Sequence, residues 1–210
     1  MEKHDILMAG VGGQGIILAS GILAEAAILE GYDAKKADVL GMAQRGGSVV
    51  SHIRIGPRVF SPLIKKGEAD ILLAFEKLEA ARWAGYLRPG GLAVVNDHAI
   101  LPLSVSCGAE AYPGDSQVKS ILAGRARALY WIKGLAIAEG LGNVRTMSVV
   151  MVGAISAFLP IAEETWLKAL SQRVQPKLYD LNLKAFSLGR EDARSLKPVE
   201  VSKQGESRGV

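Results

Sequence analysis

The stretch MAGVGGQGIILASG, residues 8–21, groups four glycines around one glutamine: Gly10, Gly12, Gly13, Gly15 and Gln14. Each glycine loses more backbone freedom on folding than an alanine would, so a cluster indicates a tight turn or a backbone that closely approaches a ligand. A short apolar run precedes the glycines, and an alanine- and leucine-rich helical pattern follows them and ends at Gly31. The stretch therefore predicts a strand, a glycine turn and a helix.

The glycine turn has the spacing of a phosphate-binding site. Gly10, Gly12 and Gly15 satisfy the pattern G-x-G-x-x-G between a predicted strand and a predicted helix. The N terminus of the helix offers free N–H groups and a partial positive charge to an anion. Gly13 adds room, and the side chain of Gln14 can donate to a ligand oxygen. We expect contact with a phosphate or nucleotide here, and the alternative is a tight turn that binds nothing.

The position of a ribose-binding acid is ambiguous. A dinucleotide site of the Rossmann type has an acidic residue near the end of the second strand, about 20 residues further on. Asp33 and Asp38 flank that position, with Lys35 and Lys36 between them. The lysines suit either the ribose phosphate of NADPH or an exposed strand edge.

A second loop, GMAQRGGS at residues 41–48, combines an amide, a guanidinium, a hydroxyl and flexible backbone in Gln44, Arg45, Gly46, Gly47 and Ser48. These groups together can surround an anion. Ligands of open α/β sheets bind beyond the carboxyl ends of the strands, so we expect this loop to lie beside the glycine turn. The alternative is a surface turn with a solvated arginine.

The remaining pattern predicts a single domain over residues 1–189 and a loose polar tail over residues 190–210. Strands are expected at residues 5–9, 32–39, 49–56, 70–75 and 92–96, with residues 58–64 as a hairpin partner. Helices are expected at residues 14–30, 77–86, 117–124, 127–140, 147–159, 163–174 and 176–188. Buried apolar strands such as ILLAF need cover on each face. We therefore expect a three-layer α/β fold with a mostly parallel or mixed sheet, helices on both faces and a Rossmann-like glycine turn after the first strand.

Composition narrows the class of function. The formal net charge of +4 is too small an excess to predict nucleic-acid binding. Cys107 is the single cysteine, so the chain alone has no internal disulfide and no cysteine-ligated iron–sulfur cluster, and we expect this thiol to be buried. His4, His52 and His98 lack ligand spacing, so no metal site is expected. No signal peptide is evident, and the apolar run at residues 147–159 is shorter than the roughly 20 residues of a membrane span. We expect a cytoplasmic protein without membrane contact.

The two glycine motifs, GVGGQGI and GMAQRGGSV, together resemble the gamma-type module of 2-oxoacid:ferredoxin oxidoreductases, and the indolepyruvate enzymes are the most similar members. The similarity continues through SPLIKKGEADILLAFEKLEA, LRPGGLAVVN and AYPGD to the apolar helix at Met147, and it covers residues 5–188. Relatives tend to have an asparagine at the position of Ser148, so the chain departs from the family pattern there.

This resemblance implies one subunit, inactive alone, of a heteromeric enzyme. Such an enzyme oxidatively decarboxylates an indolepyruvate-type or arylpyruvate-type 2-oxoacid to an acyl-CoA and passes two electrons to ferredoxin. It also implies that thiamine diphosphate and the iron–sulfur clusters belong to a large partner subunit, so that this chain alone holds no cofactor. Both glycine loops match the family by position, and we assign them to the phosphates of coenzyme A as a hypothesis.

Two other interpretations remain open. One is a freestanding NADP-dependent reductase with Lys35 or Lys36 on the ribose phosphate, and the other is a non-catalytic module whose loops bind only protein. No catalytic residue is assigned, because the sequence shows no Ser-His-Asp order, paired carboxylates or Walker lysine. An isolated subunit should expose an apolar docking patch, and a homodimer is then expected.

Overall fold

The computed structural model of the chain describes residues 2–41 and 46–199. Within these residues, six strands form one sheet with the order β2-β3-β1-β4-β5-β6. The strands are β1 (His4–Val11), β2 (Asp33–Leu40), β3 (Ser48–Gly56), β4 (Ala69–Ala74), β5 (Leu87–Asn96) and β6 (Ala126–Ile132).

Strand directions bring three chain segments to one edge of the sheet. The central strand β1 pairs antiparallel with β3 and parallel with β4, and β5 and β6 continue in parallel. Because β2 is antiparallel to β3, it runs in the same direction as β1. The carboxyl ends of β1 and β2 therefore lie at the same edge as the start of β3, where Ser48 pairs with Val11. The sheet is mixed, as predicted.

Helices cover both faces of the sheet. One face packs against α1 (Ile16–Leu29), α5 (Gly134–Gly140), α6 (Met147–Ser156), α7 (Glu163–Arg173) and α8 (Tyr179–Ser195). The other face packs against α2 (Lys77–Trp83) and α4 (Asp115–Ala123), while α3 (Leu103–Ser106) lies in the connection after β5. Short 3-10 helices span Ala84–Tyr86, Val144–Thr146 and Pro176–Leu178. The three-layer α/β fold is confirmed.

Helix α6 is buried along its whole length and crosses α8 at backbone contact. A Cβ added to Gly153 would lie 2.0 Å from the carbonyl oxygen of Phe186, and one added to Gly189 would lie 2.0 Å from that of Val150. Only glycine allows so close an approach of two helix backbones. This crossing fixes α6 in the layer that also holds α1.

The predicted helix at residues 127–140 is wrong for its first half. Residues 126–132 form the edge strand β6, and the helix α5 begins only at Gly134. The run ALYWI is short and apolar, and such a run fits a strand or a helix equally well by periodicity. Its aromatic residues favour the strand, because they pack well on a pleated surface.

The predicted hairpin partner at residues 58–64 is also wrong, because these residues form no strand. They are held instead by side chains of the sheet. The amide of Val59 donates to Asp33 Oδ2 at 2.7 Å, and the amide of Ile64 donates to His52 Nδ1 at 3.2 Å. The segment is a loop tied to β2 and β3.

The predicted tail begins too early. Residues 190–195 continue α8 because that turn still has a buried side: Arg190 and Ala193 are buried, and Arg190 Nη1 donates to Ser156 Oγ at 3.0 Å. The amide of Val199 donates to the carbonyl of Leu129 on β6 at 2.8 Å. Residues 200–210 of the predicted tail lie outside the described residues. None of the described helices is long and apolar enough to cross a membrane.

Candidate functional site

The glycine turn connects β1 to α1 through two backbone positions that favour glycine. Gly13 has a φ of 106°, and Gly15, which caps the N terminus of α1, has a φ of 78°. The first turn of α1 contains no acidic residue, and no side chain caps it. The first N–H groups of the helix therefore remain available to an anion.

Gln14 holds the turn from within. Its side chain is buried, its Oε1 accepts from the amide of Val11 at 2.8 Å, and its Nε2 donates to the carbonyl of Phe75 at 2.9 Å. A Cβ on Gly10 would lie 2.8 Å from Gln14 Oε1 and 2.9 Å from Phe75 Cβ. The sequence suggested that Gln14 donates to a ligand, whereas its amide joins the turn to the end of β4.

The second loop meets the glycine turn. The amide of Gly12 donates to the carbonyl of Gly47 at 2.9 Å, and the amide of Gly41 donates to the carbonyl of Ser48 at 3.0 Å. Gly46 has a φ of 77°. Gln44 and Arg45 lie outside the described residues. The described ends of the loop thus lie beside the glycine turn, at the shared carboxyl edge of β1 and β2.

The side chain of Ser48 points to the face of the sheet that packs against α2, whereas α1 covers the other face. Its hydroxyl donates to Glu79 Oε2 at 2.5 Å and accepts from Trp83 Nε1 at 3.3 Å, and both partners lie on α2. Glu79 also accepts from Arg82 at 2.7 Å. The sequence predicted that the Ser48 hydroxyl helps to surround an anion. In the structure this hydroxyl instead joins the start of β3 to α2.

A cavity of about 430 Å³ opens beside the glycine turn, between α1 and the start of α6. It is lined by Gly13, Gln14, Gly15, Leu18, His98, Leu135, Val144, Arg145, Met147 and Ser148. None of these ten residues is acidic, and the described residues offer no ion-pair partner to Arg145. The cavity therefore combines one cation and a helix N terminus with aliphatic walls.

Ser148 lies against the glycine turn. A Cβ on Gly15 would lie 2.8 Å from both Cβ and Oγ of Ser148, and Ser148 is 1% exposed. Within the described residues its hydroxyl has no hydrogen-bond partner, although it lines the cavity. The hydroxyl can therefore donate or accept a hydrogen bond at the cavity wall.

His98 lines the same cavity, and burial lowers its pKa below the ordinary value of a histidine. The ring is therefore neutral near pH 7, when it can donate one hydrogen bond and accept another. Sequence reasoning missed Arg145 and His98 as site residues, because they are far from both glycine motifs in the chain. The only signal was that Arg145 lies two residues before the apolar helix that begins at Met147.

The second strand does not form the ribose site of a Rossmann fold. Strand β3 separates β2 from β1, whereas that site places the acidic residue on a strand next to the glycine turn. Asp33 accepts from the amide of Val59, and Lys36 donates to Asp38 and to Ser20 Oγ. These side chains are engaged within the subunit, which disfavours the NADPH interpretation.

The other candidate residues have ordinary surroundings. Cys107 is exposed, so its predicted burial is wrong. It lies at the end of the short helix α3, outside the apolar layers on the two faces of the sheet. Tyr130 packs against Phe158 with ring centroids 4.6 Å apart, and Lys119 lies over the ring of Trp131. In the described part of the chain, no group of three or more His, Cys, Asp or Glu side chains is arranged to hold a metal ion.

Comparison with known proteins gives the class. The family described as pyruvate ferredoxin/flavodoxin oxidoreductase matches residues 5–192, and the chain therefore belongs to this family. One relative, indolepyruvate oxidoreductase subunit IorB of Thermococcus kodakarensis, is 37% identical over 202 residues, which cover 93% of this chain and 98% of that protein. The chain is accordingly a subunit of a heteromeric 2-oxoacid:ferredoxin oxidoreductase.

Solved structures agree with this assignment. The gamma subunit of a keto/oxoacid ferredoxin oxidoreductase from Geobacter sulfurreducens has a TM-score of 0.68 and 27% identity, over 92% of this chain and 99% of that chain. A 2-oxoglutarate:ferredoxin oxidoreductase from Magnetococcus marinus, solved with 2-oxoglutarate, coenzyme A and succinyl-CoA bound, has a TM-score of 0.74 and 21% identity. That likeness covers 94% of this chain and 32% of that one, and it shows the fold alone.

Proposed function

We propose that this chain is the small subunit of an oxidoreductase that converts indolepyruvate or a similar arylpyruvate to its acyl-CoA, and that it forms the coenzyme A side of the site. The name of the IorB relative supports the substrate class. The coenzyme bound in the structure from Magnetococcus marinus supports the coenzyme. The freestanding reductase is disfavoured, because the family and the strand order both argue against it.

The observation that carries the proposal is the hydrogen bond from Gly12 to Gly47, which joins the two glycine loops beside the N terminus of α1. We assign both loops, Gly10–Gly15 and residues 44–48, to the phosphates of coenzyme A, and Ser48 contributes only its backbone, because its hydroxyl is bonded to α2. Gly13 and Gly15 line the cavity, so their backbone is the part nearest the ligand. Gly10, Gly12 and Gln14 shape the turn, and Arg45 would supply positive charge.

The remaining components belong to the partner in this proposal. Thiamine diphosphate, held by the large subunit, supplies the decarboxylation chemistry when bound, and iron–sulfur clusters of that subunit pass two electrons to ferredoxin. This chain contributes binding and orientation of coenzyme A, whose thiol takes up the acyl group. We place the complex in the cytoplasm, with no contact to nucleic acid or membrane.

Co-expression with a large subunit tests the proposal. The two chains should co-purify, and the complex should reduce ferredoxin when given indolepyruvate and coenzyme A. The same assay with 2-oxoglutarate is the substrate control, because the proposed class predicts much lower turnover with that acid. Isolated chain that binds NADPH tightly and transfers hydride alone would overturn the proposal. Isolated chain that runs as a homodimer and becomes a heteromer on mixing would support it.

A variant of Arg45 tests the second loop. Arg45→Ala should raise the KM for coenzyme A about tenfold, because a charge-assisted contact to phosphate is worth about 1.5–3 kcal/mol. The KM for indolepyruvate should stay unchanged. Arg58→Ala is the control, because that exposed arginine stacks on Phe60 in the loop after β3. An unchanged KM for coenzyme A in Arg45→Ala would remove the second loop from the site.

A further inference from the structure

We infer that the segment Arg145–Ser148 completes the site and selects one part of coenzyme A, the diphosphate with its pantetheine arm, rather than the adenosine 3′-phosphate. This inference rests on the proposed coenzyme A function of the glycine turn. Arg145 and Ser148 lie outside both glycine motifs, and only the fold brings them to the glycine turn.

The cavity carries one positively charged side chain. Arg145 lines the cavity together with Gly13 and Gly15, and among the described residues it has no carboxylate partner. Its backbone is fixed, since the amide of Arg145 donates to Asn143 Oδ1 at 3.1 Å. A planar guanidinium and free helix N–H groups at one cavity match the oxygens of a phosphate.

The hydroxyl of Ser148 is a second polar group at the cavity. Ser148 is 1% exposed, lies against Gly15 and has no hydrogen-bond partner in the described residues. A ligand oxygen at the glycine turn would give this hydroxyl a hydrogen-bond partner. A phosphate at the glycine turn would therefore share one cavity with the Ser148 hydroxyl, the Arg145 guanidinium and the first N–H groups of α1.

The wall of the cavity is largely apolar. Beyond the charged end, the lining is aliphatic and comes from Leu18, Leu135, Val144 and Met147. Val144 is 54% exposed, so a bound ligand would cover apolar surface at the mouth. No Phe, Tyr or Trp lines this cavity among the described residues, so it offers no aromatic ring on which a purine could stack.

The chemistry of coenzyme A fits that order of surfaces. Its diphosphate is joined directly to the branched, aliphatic pantoyl group, whereas its 3′-phosphate is attached to the ribose of adenosine. An anion next to an aliphatic body matches the diphosphate and pantetheine arm. The cavity is accordingly the place where the pantetheine arm leaves the diphosphate.

Calorimetric titration of the assembled complex tests this assignment with two ligands, coenzyme A and dephospho-coenzyme A, which lacks only the 3′-phosphate. Arg145→Gln should raise the Kd about tenfold or more for both ligands, and by the same factor. Ser148→Ala should raise both Kd values about threefold to tenfold. Arg127→Gln is the matched control, because Arg127 is exposed near the start of β6, at the other end of the sheet.

Two results would overturn the inference. If Arg145→Gln weakens coenzyme A but not dephospho-coenzyme A, the arginine contacts the 3′-phosphate. If Arg145→Gln changes neither Kd, the segment is outside the site. Gly13→Asp adds a carboxylate to the glycine turn itself. This variant shows whether only the role of Arg145–Ser148 is wrong or whether the glycine turn does not bind coenzyme A at all. Weaker binding in Gly13→Asp alone keeps the glycine turn as the site, whereas unchanged binding in both variants removes it.

Discussion

The amide of Gly12 donates to the carbonyl of Gly47 at 2.9 Å, and this bond joins two loops that are 35 residues apart. It exists because β3 runs antiparallel to β1, so that the loop before β3 arrives where β1 ends. One backbone hydrogen bond therefore links the conformation of the second loop to that of the glycine turn.

Removal of the Gln14 side chain should loosen this turn. Gln14→Ala leaves the amide of Val11 without its buried acceptor, whereas the carbonyl of Phe75 keeps a second donor in Asn96. We expect the free energy of unfolding to fall by about 1–3 kcal/mol, the usual cost of an unsatisfied buried group. Urea unfolding of the isolated subunit measures it, and a loss below about 0.5 kcal/mol would contradict the role assigned to this side chain.

The crossing of α6 and α8 should tolerate no side chain. Gly153→Ala places a Cβ 2.0 Å from the carbonyl oxygen of Phe186, so the helices must separate, and we expect a loss of about 3 kcal/mol or more. Gly140→Ala is the matched control, because Gly140 ends α5 with no atom within 4 Å of the added Cβ. That variant should be neutral or more stable by about 0.5–1 kcal/mol. Equal thermal stability of the two variants would show that the backbones are not in contact.

The stability of the subunit should fall as the solution becomes acidic. Burial lowers the pKa of His52, whose Nδ1 accepts from the amide of Ile64 and is therefore unprotonated. An unfolded histidine binds its proton near pH 6.5. As the pH falls below that value, the unfolded chain takes up a proton that the folded chain does not, so unfolding becomes easier. His98, whose pKa is also lowered by burial, acts in the same direction.

Comparison of pH profiles isolates the contribution of His52. The variant His52→Gln keeps an acceptor for the amide of Ile64 but cannot titrate. Its free energy of unfolding, measured by urea between pH 8 and pH 5.5, should therefore change less than that of the wild type. Identical slopes would mean that His52 titrates alike in both states.

The glycine turn and the loop beside it could be predicted because their signals are local. A glycine cluster between an apolar strand and a helical pattern has few structural solutions, and the parallel directions of β1 and β2 then bring both loops to one edge. The apolar run at Met147 was equally clear, since every residue of α6 is buried. The prediction of a mixed sheet also came from a local signal, namely the buried apolar strands.

The cavity could not be predicted, because tertiary contacts create it. Arg145 and Ser148 come to the same cavity as Gly15 only after α6 packs between α1 and α8, and no local pattern encodes that approach. The same reason explains β6, whose short apolar run becomes a strand through pairing with β5. The partner of the Ser48 hydroxyl depends on α2, which is likewise distant in sequence.

A matched pair of variants at Gly13 asks whether the glycine turn binds the phosphates of coenzyme A. Gly13 has a φ of 106° and no atom within 4 Å of an added Cβ, so Gly13→Asp and Gly13→Asn impose the same backbone strain and differ chiefly in one negative charge. In calorimetric titrations of the assembled complex, the Asp variant should bind coenzyme A about tenfold more weakly than the Asn variant, because like charges a few ångströms apart repel. Equal dissociation constants for the two variants would show that no phosphate lies at this turn.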